Sequence, residues 1–191
     1  MQKSKTIILT LVLLVLSACT QNQSDGIAPA VTQNTPSTER KEHHTFSIDM
    51  PADWREVEYG TQMIYLPEGS EAVDPLSEKV AVIVSFLPEN NTLSLAEIMD
   101  AGIQDTKKLM PDLEINSTEN NYAFGKIDDG IKLEMTSTIQ NQTVSYTQIN
   151  GMAFNRVYAL VHSCIKGKCK YTDTYYDMVT SFMETGEGIQ E

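Results

Sequence analysis

From residue 45 onward the apolar positions recur with a period that changes along the chain, and each change marks an element. Phe46, Ile48 and Met50 alternate with polar neighbours in Thr45-Phe-Ser-Ile-Asp-Met50, the spacing of a half-buried strand, and Pro51 stops it. Trp54, three residues on, is expected to plug the core. Gln62 to Leu66 reads as a second strand and is followed by an acidic loop with Pro67, Gly69 and Pro75. Lys79 to Leu87 is apolar on both faces, with Val80, Val82, Val84 and Phe86 on one side and Ala81, Ile83 and Leu87 on the other, which predicts a central strand.

At Ser94 the period shifts to that of a helix. Ser94-Leu-Ala-Glu97 is a capping box, and Leu95, Ile98, Met99, Ile103, Leu109 and Met110 follow at three- and four-residue steps until Pro111. Strands are then expected near 113–117, 122–126, 131–139, 143–149 and 154–164. Asp129-Gly130 and Asn150-Gly151 predict the hairpin turns between them, because both pairs tolerate positive φ. Ile131, Leu133, Met135, Ser137 and Ile139 face one way and Lys132, Glu134, Thr136 and Thr138 the other, so this part of the sheet has one wet face. A last helix, about 173–184, carries Tyr175, Val179, Phe182 and Met183 on one stripe and is expected to lie beside the first. Residues 185–191 read as a flexible tail. The periods together give an α+β fold: a mostly antiparallel sheet of about six or seven strands with two main helices.

Before residue 45 this patterning stops. Residues 19–44 are Gln, Asn, Ser, Thr, Pro and charge, too polar to repay the entropy of ordering, and read as a tether with a reach of roughly 25–30 Å. His43 and His44 beside Glu39 and Glu42 fall in this tether, which offers no fixed frame for a metal. Residues 1–18 carry Lys3 and Lys5 ahead of the apolar Thr6–Leu16 run, in the order of a signal peptide. The run is well short of the roughly 20 residues of a membrane-spanning helix. Leu16-Ser-Ala-Cys19 resembles the lipobox of bacterial lipoproteins. That resemblance implies cleavage before Cys19, diacylglycerol on its thiol and further acylation of the new amino terminus. Thr20 rather than Asp after the cysteine resembles outer-membrane sorting in a host with two membranes. The expected location is the cell envelope, facing the periplasm and held to the membrane through the lipid on Cys19.

Charge narrows the partners. The chain has 14 basic and 26 acidic residues and a net charge of −12, which becomes −14 once Lys3 and Lys5 leave with the leader. Nucleic acid is excluded as a partner, since phosphate neutralisation needs clustered cations. With Cys19 given to lipid, Cys164 and Cys169 remain as an even pair, and an oxidising compartment makes them a disulfide. Facing positions of an antiparallel pair would bring them within range. The loop they close, Cys164-Ile-Lys-Gly-Lys-Cys169, presents Lys166, Lys168 and Lys170 as a basic tip and the best surface for a partner contact. His162 extends the motif to H-x-C-x4-C, half of a zinc site with no evident fourth ligand, so no metal is assigned. There is no C-x-x-C redox motif, no G-x-S-x-G elbow and no glycine-rich phosphate cradle. No catalytic residue, enzyme activity or cofactor is assigned.

The F-x4-P-x2-W arrangement of Phe46, Pro51 and Trp54, the order of strands and helices, and the terminal Ser181-Phe182 resemble the PsbP/DcrB superfamily over residues 45–184. The resemblance implies an α/β/α sandwich and a non-catalytic domain for assembly, stabilisation or protein contact. The expected function is a membrane-anchored envelope lipoprotein that serves as a non-catalytic protein-binding or assembly-stabilising module. The alternative is an immunity-type lipoprotein that inhibits a toxin in the same compartment.

Overall fold

The structure, a computed structural model, describes residues 37–186. The leader, Cys19 and most of the expected tether lie outside the described residues. Ten strands and two helices follow in the order β1 Thr38–Glu42, β2 Phe46–Pro51, β3 Arg55–Tyr59, β4 Gln62–Leu66, β5 Lys79–Phe86, α1 Leu95–Leu109, β6 Glu114–Phe124, β7 Ile127–Ile139, β8 Gln142–Ala153, β9 Arg156–Ile165, α2 Thr172–Ser181 and β10 Met183–Glu184. A seven-stranded antiparallel sheet runs β3-β4-β5-β9-β8-β7-β6, and a three-stranded sheet runs β1-β2-β10.

Register shows why both faces of the large sheet are covered. Val80, Val82 and Val84 of β5 pair with His162, Leu160 and Tyr158 of β9, so these six side chains share one face. On it sit α2 and the small sheet, which add Tyr175, Met178, Val179 and Phe182 from the helix region and Phe46, Ile48 and Met50 from β2 to one core. Leu133, Met135 and Val157 point the other way and meet Leu95, Ile98 and Met99 of α1. The molecule is therefore an α/β/α sandwich, and α2 lies across the sheet from α1 rather than beside it. The apolar stripe of α2 needs the β5–β9 face, and the α1 side is already filled.

The capping box forms as expected: Glu97 N–H donates to Ser94 Oγ at 3.3 Å and Ser94 N–H to Glu97 Oε2 at 2.8 Å. Of the expected apolar stripe, Leu109 is 71% exposed. Trp54 is buried and meets Tyr171 edge-on at 5.2 Å between centroids.

Four further expectations are corrected. The folded part begins before residue 45, because β1 pairs along β2 from Thr38↔Pro51 to Glu42↔Ser47. His43 is half-buried against Phe46 and bonds Tyr65 Oη at 2.9 Å, so it is not tether. Thr185 is not loose either, since its N–H donates to Thr45 O at 2.9 Å; residues 187–191 lie outside the described part. Asp129-Gly130 and Asn150-Gly151 are not turns but interior pairs of β7 and β8. The chain reverses instead at Gln140-Asn141 and Phe154-Asn155, four residues with φ of 49°, 62°, 50° and 57°, and at Gly125-Lys126.

Candidate functional site

Strand β9 ends at the motif singled out in the sequence. Cys164 and Cys169 are disulfide-bonded with Cα atoms 5.3 Å apart. Only Cys164 is in a strand. Cys169 reaches it through a turn at Gly167, where φ is +80° and Lys168 N–H donates to Ile165 O at 2.9 Å; the strand that faces Cys164 is β8, with Ser145 opposite it, and Cys169 lies in neither. Lys166, Lys168 and Lys170 are exposed around this turn.

One partner of this tip was not legible in the sequence. Glu78, one residue before β5, lies beside it because β5 pairs antiparallel with β9 and sets Lys79 opposite Ser163. Its Oε1 is 3.0 Å from His162 Nε2 and accepts the N–H groups of Lys170 at 3.0 Å and Tyr171 at 2.8 Å. Those two N–H groups open α2, whose N-cap Tyr171 makes no side-chain capping bond. The carboxylate thus caps a helix from a strand 93 residues away in sequence, where its charge also suits the positive end of the helix dipole. His162 is 2% exposed and its ring stacks on Tyr175 at 5.3 Å. Burial pulls its pKa down, against a smaller upward pull from Glu78. Nothing near residue 162 marks Glu78 as its neighbour, since only the strand register joins them.

The second candidate site is at the opposite end of β5. A half-open cleft of about 200 Å³ is bounded by His43, Phe46, Glu58, Met63, Val82, Val84 and Phe86, among others. It lies between the small sheet and the β3–β4 edge, over apolar side chains that are themselves almost wholly covered, with Phe46 4%, Val82 0% and Val84 8% exposed. Phe86 is 55% exposed beside it and stacks over the Arg156 guanidinium at 5.3 Å. Alternation in the sequence put Phe86 on the covered face. It stays open because it is the last residue of β5, beyond the reach of β2.

No protein-family model and no curated protein matches the sequence. Solved structures do match by shape. Cyanobacterial PsbP (CyanoP) from Synechocystis sp. PCC 6803 aligns with a TM-score of 0.57 and 13% identity, over 83% of this chain and 99% of its own. The Ran-binding protein Mog1p of Saccharomyces cerevisiae aligns with a TM-score of 0.53 and 12% identity, over 78% of this chain and 95% of its own. LpqN of Mycobacterium tuberculosis, described as involved in cell envelope biogenesis, aligns less well, with a TM-score of 0.49 and 14% identity over 80% of this chain and 92% of its own. At these identities the likeness is one of fold, and the fold is PsbP-like.

Proposed function

We propose that this chain is a lipid-anchored envelope protein whose PsbP-like domain binds a protein partner without turnover. The observation that carries the reading is the cleft between the small sheet and the β3–β4 edge. Its apolar floor of Phe46, Met63, Val82 and Val84 fits one apolar side chain, and exposed Phe86 extends that surface outward. Such an exposed aromatic beside a concave apolar patch is the form of an interface anchor site. Glu58 lines the cleft, so the segment that inserts there carries a cation beside its apolar anchor. Mog1p, which shares the fold, is named for binding a protein. The lipobox at Leu16–Cys19 supplies the anchor in this reading.

Two experiments test its two halves. Cys19→Ala should move the protein from the membrane to the soluble fraction, and unchanged retention would remove the anchor. A photocrosslinking side chain placed at Met63 or Phe86 in cells should give discrete protein adducts that the same group at Leu109, exposed on the opposite side, does not. Equal adducts at all three positions would overturn the cleft, and adducts confined to a probe at Lys168 would move the contact to the basic tip.

A further inference from the structure

We propose that the end of β9 is a redox-gated zinc site: when the Cys164–Cys169 disulfide is reduced, Glu78, His162, Cys164 and Cys169 bind one zinc ion. The spacing of the histidine and cysteines offers three ligands, and the β5–β9 register supplies the fourth. A His162 ring nitrogen, a Glu78 carboxylate oxygen and Cys164 Sγ all lie within 4.8 Å of one another, and His162 Nε2 and Glu78 Oε1 are 3.0 Å apart. Tetrahedral zinc, with bonds of about 2.0–2.1 Å to nitrogen or oxygen and about 2.3 Å to sulfur, holds its ligand atoms roughly 3.3–3.8 Å apart. The nitrogen and oxygen therefore already stand close to ligand spacing, and the sulfur has at most about an ångström to travel. Cys169 Sγ is bonded to Cys164 Sγ outside the group that Glu78, His162 and Cys164 form, and it completes the set by turning inward once reduction frees it.

The surroundings are those of a built site. His162 and Cys164 are 2% and 4% exposed. The Glu78 carboxylate is oriented by the Lys170 and Tyr171 N–H groups, and the His162 ring by Tyr175. Partners of this kind hold metal ligands in place and raise affinity. Two thiolates, one imidazole and one carboxylate form a mixed donor set suited to zinc. Their three negative charges exceed the ion's two positive ones, and Lys166, Lys168 and Lys170 stand around the surplus.

The exchange balances with a dithiol as reductant. Its two sulfurs join, giving two electrons and two protons to the protein's S–S bond, which opens to two thiols. On binding zinc both thiols become thiolates and release their protons to water, while His162 binds through a neutral Nε2. One cross-link between β9 and the turn is replaced by another, so the tip and the start of α2 stay joined in either state. This inference does not depend on the cleft or on its partner.

The test uses the full chain in detergent with Cys19→Ser throughout, so that two thiols remain. Reduced protein, freed of reductant without air, should take up one equivalent of zinc, and of cobalt with thiolate-to-metal charge-transfer bands and intense tetrahedral visible bands. Disulfide-bonded protein should take up none. H162Q and E78Q should each weaken zinc binding at least about tenfold. Zinc should also slow alkylation of both thiols in the reduced protein with His162 and Glu78 intact, a reading that needs no further variant. Failure of the reduced protein to bind, equal binding by the oxidised protein, or full affinity in folded H162Q and E78Q would each overturn the site.

Discussion

Lys79 is 2% exposed, and its ammonium donates to the carbonyls of Ala72 at 3.1 Å and Asp74 at 2.8 Å, holding down the acidic loop before β5. Burial pushes its pKa down to about 8 from an ordinary 10.5, against a weaker upward pull from Asp74. The unfolded chain keeps this proton up to its ordinary 10.5, whereas the folded chain gives it up near 8. Over that interval the unfolded state binds more protons, so stability should rise with pH. Above an ordinary tyrosine pKa of 10.0 the sign reverses. Burial raises Tyr65 and pushes Tyr146 up to about 12, so the folded state then holds the extra protons. Chemical denaturation from pH 7 to 11 should find a maximum at about pH 9–10, and Lys79→Met should flatten the rise that leads to it. Glu78 offers a second measurement at this scale. Glu78→Ala removes the acceptor for two N–H groups at the start of α2 and should cost about 1–3 kcal/mol, while Glu78→Gln, which keeps an acceptor oxygen, should cost less.

At the scale of elements, the two helices differ in how they are ended. Helix α1 carries its own signals: the Ser94–Glu97 box in front and Lys107 and Lys108 in the last turn. Helix α2 has no side-chain N-cap and no basic residue in its last turn. Its start is capped by Glu78 and its last carbonyl, that of Ser181, by Arg40 of β1, whose guanidinium donates to Ser181 O at 2.6 Å and pairs with Asp49 at 3.0 Å. This is why the box was legible in sequence and the ends of α2 were not. Hairpins fail for a related reason, since a glycine in a strand can serve space rather than φ. A Cβ on Gly130 would sit 2.8 Å from Asn150 O and closer still to Tyr122 O, and one on Gly151 would sit 2.7 Å from Ile127 and Phe124 side-chain atoms. Gly130→Ala should therefore cost at least about 1–3 kcal/mol, read as a lower denaturation midpoint. At the true turn, exposed Gln140 holds φ at +49°, and Gln140→Gly should add about 0.4–1 kcal/mol by relieving it.

For the whole molecule, the α+β class, the central strand and the resemblance at Phe46, Pro51 and Trp54 were readable because period and composition are local. The side of the sheet that each helix takes was not, because it depends on which face another element has already filled. The core between the large sheet and α2 joins residues from Phe46 to Phe182, and β2 is flanked by β1 on one edge and by β10 on the other, with Met183 opposite Ser47 and Glu184 opposite Phe46. Removing residues 172–191 takes away Tyr175, Met178, Val179, Phe182 and β10 together. A chain so shortened should lose its cooperative unfolding transition in circular dichroism.

That last seam gives the domain a timetable. Among the described residues, strand β2 is one of the first elements made, yet its second neighbour β10 and the helix above it are the last. A growing chain therefore holds Phe46, Ile48 and Met50 without their final cover until α2 and β10 have been synthesised, more than 120 residues later. A chain that must be threaded through a membrane before it folds would gain time from this arrangement, and a stalled or clipped product would remain visibly unfinished to proteases.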